Sequence, residues 1–230
     1  VRYQVKGCEV RSENAAKPGS SAGRWLLKWI DGLDPLYKGL DLGCGKLRYT
    51  VPMSRQLRSV TAVDSKVQID RVQALFGCNS TIRQYAAAHL ANVRVFSVEE
   101  QAWQRRHYDI ILCANVLSAI PSKRVRKELV SCAHQRLRNG GTFLLTTQFQ
   151  NSHFSKWAAD PRASRHCDGY LVRGTKGASF YALLDRDKLV ALCRGAGLSI
   201  IDCGHAKELA YVFATKEIAQ TSPRRSKHTP

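Results

Sequence analysis

The stretch Tyr108-Asp109-Ile110-Ile111-Leu112-Cys113-Ala114 constrains the fold more than any other. From Ile110 to Ala114 the side chains are apolar without polar alternation. A strand of this kind must be covered on both faces, which is the situation in a parallel sheet flanked by helices. Shorter versions of the signal recur from residue 38 onward, at Gly39–Leu42, Ser59–Val63, Val93–Val98, Thr142–Phe149, Ser199–Cys203 and Ala210–Thr215. Helical windows lie between them, near 48–57, 66–77, 83–91, 122–138 and 185–196. An earlier helix over Arg24–Ile30 groups Trp25, Leu26, Trp29 and Ile30 on one face. Alternating strand and helix predict an α/β fold with a doubly wound, mostly parallel sheet.

Around this body the reading is looser. Residues 1–22 are polar and irregular and read as a flexible arm. Residues 23–215 form a single domain, and 216–230 a basic, flexible tail. Residues 151–182 interrupt the alternation with Phe154, Trp157, Tyr170, Phe180 and Tyr181 among several glycines. Tyr170–Arg173 and Ala178–Leu183 flank Gly174-Thr175-Lys176-Gly177 as a hairpin would. This insertion is either a substrate lid or a cover for the sheet edge.

Charge narrows the choice of partners. Lys and Arg number 36 against 18 Asp and Glu, a net charge of +18. Without the last fifteen residues the body still carries +15. A field of this sign attracts nucleic acid, anionic lipid or acidic small molecules. No run approaches the roughly 20 apolar residues of a membrane helix, and residues 1–17 lack the apolar centre of a signal peptide. A cytoplasmic protein without membrane partners is expected. The eight cysteines contain no Cys-x-x-Cys and the seven histidines no His-x-x-x-His. Buried free thiols and no metal site are therefore expected.

The chemical signal is Asp41-Leu42-Gly43-Cys44-Gly45-Lys46, after one strand and before a helix. Glycines there let the main chain turn tightly beside a ligand, in the geometry of a nucleotide-like cofactor at a sheet edge. A dinucleotide fingerprint needs a further glycine where Arg48 stands. Asp41 suits a cationic ligand rather than a diphosphate. Asp64, at the end of the second strand, can accept hydrogen bonds from ribose hydroxyls. The less favoured alternative is that Gly43 and Gly45 form an ordinary turn and Asp64 a helix cap.

These residues resemble the class I S-adenosylmethionine-dependent methyltransferases. Asp41-Leu42-Gly43-Cys44-Gly45 is similar to the family's first motif, with Leu47 in place of its common third glycine. Tyr108–Leu117 resembles the fourth-strand motif, and Ser118-Ala119-Ile120-Pro121 the turn after it. Leu137–Gly141 and Leu192–Leu198 resemble the segments before the fifth and sixth strands. The resemblance implies a seven-stranded, mostly parallel sheet with an antiparallel edge strand, and S-adenosyl-L-methionine as cofactor. It implies that Gly43 and Gly45 pass under the cofactor, that Asp41 meets its ammonium, and that Asp64 binds the ribose. Ser65 would lie beside the adenine. The usual third-strand acid is replaced by Ser97, with a Val98 N–H or Glu99 as substitutes. Ala114 and Asn115 would flank the methionine portion, Asn115 as ligand or as core cap.

The acceptor is less defined. His153, His166, Tyr170 and Tyr181 in the insertion are candidates for a general base, each also readable as structural. The Pro-Pro and Pro-Cys motifs of DNA methylation are absent, and Asn115–Pro121 is more similar to small-molecule enzymes. Basic residues over Ser122–Arg138 (Lys123, Arg124, Arg126, Lys127, Arg136, Arg138) read as a solvated helix face, with Val125, Leu129, Ala133 and Leu137 inward. A small-molecule acceptor is thus favoured, with RNA, or a non-catalytic cofactor-binding module, as alternatives. Oligomeric state is not encoded legibly.

Overall fold

A computed structural model describes residues 2–17, 22–149, 157–174 and 177–217. The chain opens with β1 (Arg2–Val5), β2 (Cys8–Arg11) and α1 (Arg24–Asp31). It continues through β3 (Lys38–Leu42), α2 (Thr50–Gln56), β4 (Ser59–Asp64), α3 (Lys66–Asp70), β5 (Gln73–Leu75), β6 (Cys78–Ser80) and α4 (Ile82–His89). Next come β7 (Val93–Ser97), α5 (Gln101–Gln104), β8 (Tyr108–Ala114), α6 (Lys123–Arg136) and β9 (Leu137–Gln148). The last part holds β10 (Ala163–His166), β11 (Gly169–Gly174), β12 (Gly177–Ala182), α7 (Arg186–Gly195), β13 (Ser199–Ala206) and β14 (Leu209–Thr215).

Seven strands form the central sheet in the order β13-β14-β9-β8-β3-β4-β7. The pairs from β9 to β7 are parallel. Antiparallel pairing enters at the other side, where β14 runs against both β9 and the edge strand β13. Strand β8 is covered on both faces, as its composition requires. Ile111 and Cys113 pack to one side with Phe143 and Leu145. Leu112 and Leu144 pack to the other, with Leu26 and Ile30 of α1 and Met53 of α2. Side-chain caps start several helices: Ser65 on α3, Ser122 on α6, Asp185 on α7, and a full Thr81/Gln84 capping box on α4. Among the described residues no helix is long and apolar enough to cross a membrane.

The structure departs from expectation in four places. Residues 2–11, read as a loose arm, form the β1–β2 hairpin, and β2 lies parallel to β12. Val5 and Val10 are buried there, which supplies the apolar anchor that the polar composition obscured. Second, the window 66–77 is helical only to Asp70; β5 and β6 follow as a hairpin. Its turn is Phe76-Gly77, both at positive φ (44° and 92°), the conformation of a two-residue hairpin turn. Third, Arg126 is not part of a solvated face. It is only 2% exposed and joins α6 to Asp168. Fourth, the thiols are not uniformly buried: Cys44, Cys113 and Cys193 are, whereas Cys78 and Cys167 are exposed.

The insertion carries the expected hairpin of β11 and β12. With β10, β2 and β1 it builds a second, five-stranded sheet in the order β1-β2-β12-β11-β10. His153, and all but the first two residues of the expected tail, lie outside the described residues.

Candidate active site

The site starts at the end of β3. Gly43 and Gly45 adopt left-handed backbone (φ +88° and +54°), which glycine takes without steric cost. Leu47, in place of a third glycine, holds φ +61° and is fully buried. Left-handed backbone costs a residue with a Cβ about 1–2 kcal/mol; burial of the leucine side chain offsets it. The Gly43 and Cys44 N–H groups donate to the Val63 carbonyl at 2.7 and 3.0 Å, seating the loop over β4.

Asp64 then fastens this loop to the next helix. Its Oδ2 accepts the Gly45 N–H at 2.8 Å and its Oδ1 the Ser65 N–H at 2.7 Å. Gln68 completes the clasp, donating from Nε2 to the Gly45 carbonyl at 2.7 Å. Behind the loop, Asp41 is buried and accepts from Thr50 Oγ1 at 2.6 Å. Burial pushes Asp41 up to about 7, against the lowering pull of Thr50 and with a further rise from Asp64. Burial also raises Asp64, opposed by the Gly45 and Ser65 N–H groups. Two carboxylates whose ionisation is disfavoured are poised to gain from a bound cation or hydroxyl donors.

A cavity of about 490 Å³ opens above this loop, a size suited to a small organic ligand. Of the residues expected from sequence, Asp41, Gly43, Gly45, Asp64, Ser65, Val98, Ala114, Asn115 and Tyr181 line it. Asn115 has positive φ (62°), and its Oδ1 is buried without a partner among the described residues. Tyr181 lies against Trp157, ring centroids 3.9 Å apart.

Other expectations do not reach the cavity. Ser97 is buried away from it and gives its N–H to Glu100 Oε1 at 2.9 Å. The Val98 N–H, expected to be free for a ring, already donates to the Asp64 carbonyl at 2.9 Å. Glu99 is exposed outside it. His166 packs edge-on to Phe180, and Tyr170 lies under the Arg165 guanidinium; neither lines the cavity.

Sequence reading missed one wall altogether. Tyr3, Glu13, Ala16 and Lys17 line the cavity from the N-terminal segment. Tyr3 is pushed up to about 12 by burial and by Asp64. Arg71 anchors the segment, donating to the Glu13 carbonyl at 3.0 Å. Trp103 of α5 and Gln148 of β9 were missed as well. The apolar alternation of Tyr3, Val5, Cys8 and Val10 was the one available signal.

A glycine turn at the C-terminal edge of a parallel sheet, clasped by the carboxylate ending the neighbouring strand, defines a nucleoside-binding α/β enzyme. More narrowly, the chain belongs to a methyltransferase family: residues 8–202 match its model, described as "Methyltransferase domain". YmfD of Escherichia coli K12 is 33% identical over 212 residues, spanning 92% of this chain and 95% of that one. An S-adenosylmethionine-dependent methyltransferase from Clostridium acetobutylicum shares the fold at 14% identity and a TM-score of 0.60, covering 89% of this chain and 94% of that one. DhpI, in its complex with SAH, does so at 14% identity and a TM-score of 0.58, covering 83% and 82%.

Proposed function

We propose that this methyltransferase uses S-adenosylmethionine, held at the glycine loop, to methylate a small molecule. The observation that carries this reading is Asp64, locked to Gly45 and Ser65 at the cavity floor. The donor set fits the cofactor. Asp64 offers lone pairs to a ribose, Asp41 lies behind the loop for an ammonium, and the orphaned Asn115 Oδ1 is an acceptor beside them. DhpI, bound to the demethylated form of the same cofactor, supports the assignment by its fold.

Bound S-adenosylmethionine supplies a methyl group already activated by its sulfonium. The protein is left with alignment and exclusion of water. Gly43 and Gly45 bring the main chain close; Asp41 and Asp64 fix the orientation by charge and hydrogen bonding; Asn115 holds the end of β8 against the reacting region. Tyr181 projects from the insertion toward the same cavity and orients the acceptor. Of the four candidates for proton removal it is the one, among the described residues, that reaches the cavity.

A small acceptor is favoured over RNA by where the cations are spent. Arg126 is buried on Asp168, Arg83 pairs with Glu100 and Asp70, and Arg138 pairs with Asp109. Fewer cations remain for a continuous phosphate track than the sequence total suggests.

Calorimetric titration with S-adenosylmethionine and its demethylated product tests the cofactor; no heat with either removes the reading. Tritiated methyl transfer into fractionated cell extract tests the acceptor. Label in the low-mass pool is expected, and nuclease-sensitive label would instead establish RNA.

A further inference from the structure

Strand pairing gathers four arginines at the entry to the central sheet. Tyr108 at the start of β8 lies beside Leu137 at the start of β9, so Arg106 and Arg136 precede neighbouring strands. Both act on one hydroxyl: burial raises Tyr108, while a hydrogen bond with Thr61 and the charges of Arg106 and Arg136 pull it down. Thr61 of β4 pairs with Arg94 of β7, which sets Arg94 on the same face of the sheet. Two residues along that face, the Phe96 ring lies under the Arg106 guanidinium at 5.7 Å. Arg105 adjoins Arg106 at the end of α5. Arg94 and Arg105 are exposed, Arg106 and Arg136 half-buried.

None of the four pairs with an acid among the described residues. Residues 101–108 and 129–138 contain no Asp or Glu. Asp109, Glu100 and Glu128, close in sequence, are taken by Arg138, Arg83 and Arg124. Arg136 Nε is buried without a partner among the described residues. Like charges held together repel one another until an anion spans them. None of the four lines the reaction cavity, whereas Ala114 at the far end of β8 does.

We propose that Arg94, Arg105, Arg106 and Arg136 form a docking surface for the phosphate backbone of a nucleic acid, separate from the reaction cavity. The guanidinium fork matches phosphate geometry and keeps its charge at any working pH. Nucleic-acid contacts go largely to phosphate, whereas a protein partner needs an apolar centre inside a polar rim. The exposed large apolar side chains among the described residues (Leu36, Tyr37, Val67, Val72, Phe76 and Ile201) belong to other segments. The surface goes beyond the methyl-transfer reading and does not depend on it: nucleic acid here is an anchor, not the methylated reactant.

The test is fluorescence anisotropy of a labelled DNA duplex of about 20 base pairs with the full chain, from about 50 to 200 mM salt. Four phosphate contacts give a log–log salt slope of about −3.6. Arg94→Gln and Arg105→Gln, at exposed positions where folding is undisturbed, should each make the slope shallower by about one. Arg106→Gln and Arg136→Gln together should do so by about two. Arg24→Gln and Lys28→Gln, on exposed positions of α1 across the sheet, remove the same charge and should leave the slope unchanged. Equal losses in these controls would mean a diffuse field of the whole protein and overturn the surface, as would a wild type that does not bind the duplex. Saturating S-adenosylhomocysteine should not alter duplex affinity; competition would place the nucleic acid in the cavity and overturn the separation. Polyglutamate of matched charge should bind about tenfold more weakly, because counterion release favours the denser charge of the duplex. Equal binding would assign the surface to an acidic protein instead and overturn the nucleic-acid partner.

Discussion

Arg126 of α6 and Asp168, between β10 and β11, are joined by two parallel hydrogen bonds of 2.6 and 2.7 Å. Arg126 also donates from Nε to the Ile120 carbonyl at 2.8 Å, so one guanidinium ties the second sheet to the loop after β8. Removing one partner leaves a buried charge uncompensated. Asp168→Asn is expected to lower stability by about 3–5 kcal/mol, measured by urea unfolding at pH 7. Burial works to raise Asp168, and Arg126 outweighs it to hold the carboxyl below its usual range. The pair's contribution is present above that range and is lost as pH falls through the folded value. Wild type and variant should therefore converge in acid; a constant gap at all pH values would contradict the pairing.

Asp41 gives a second pH dependence, of opposite sign. Its folded value of about 7 lies above the ordinary carboxylate value of about 4. Between these limits the folded chain binds more protons than the unfolded one. Stability falls as pH rises through this window, by up to about 1.4 kcal/mol per pH unit. Asp41→Asn should flatten the slope, leaving the part due to Asp64. Equal slopes in the two proteins would remove Asp41 as the source. A cationic ligand should also displace the proton, so the heat of binding near pH 6 should vary with the ionisation enthalpy of the buffer.

Asp64→Ala should weaken cofactor binding by about 1–3 kcal/mol, the cost of hydroxyl hydrogen bonds left unmade. It also frees the Gly45 and Ser65 N–H groups, so unfolding should be easier even without ligand. Titration calorimetry and thermal melting read the two effects separately. Undiminished affinity would place the ribose elsewhere.

Gly43→Val should fold yet fail to bind cofactor. A Cβ at Gly43 would overlap the Val116 Cγ2 methyl, and φ +88° disfavours any side chain. Gly43→Ala is the milder case, and adding Val116→Ala should recover part of its binding by removing the nearer methyls. If the second substitution gives no recovery, the closeness of these two loops is not what limits the site.

Tyr181→Phe and His166→Ala separate the candidates of the insertion. Methyl transfer to the acceptor should fall with the first and persist with the second, because Tyr181 lines the cavity and His166 packs on Phe180. The reverse pattern in a tritium-transfer assay would move the acceptor to the far side of the second sheet.

What sequence revealed and what it hid follow from the range of the interactions involved. The strands of the central sheet announced themselves through local composition, because burial on both faces leaves no polar alternation. Gly43, Gly45 and Asp64 were legible because turn geometry and strand ends are local too. Arg126 was misread because its partner lies 42 positions away, and nothing local distinguishes a buried arginine from a solvated one. Two details at the third strand were hidden for a similar reason: Ser97 lies outside the cavity with its N–H on Glu100, and the Val98 N–H is taken by Asp64 of the adjoining strand, although Val98 itself lines the cavity. The hairpin of residues 2–11 was hidden because its stabilising neighbour, β12, enters the fold much later in the chain.

That late pairing has a mechanical consequence. Strand β2 leads into the segment over the glycine loop, while β12 carries Tyr181, and the two lie side by side in one sheet. The segment over the glycine loop and the cavity wall that carries Tyr181 are thus parts of a single leaf, so displacing either edge disturbs the other, and a small molecule wedged beneath the first strands would disturb both walls.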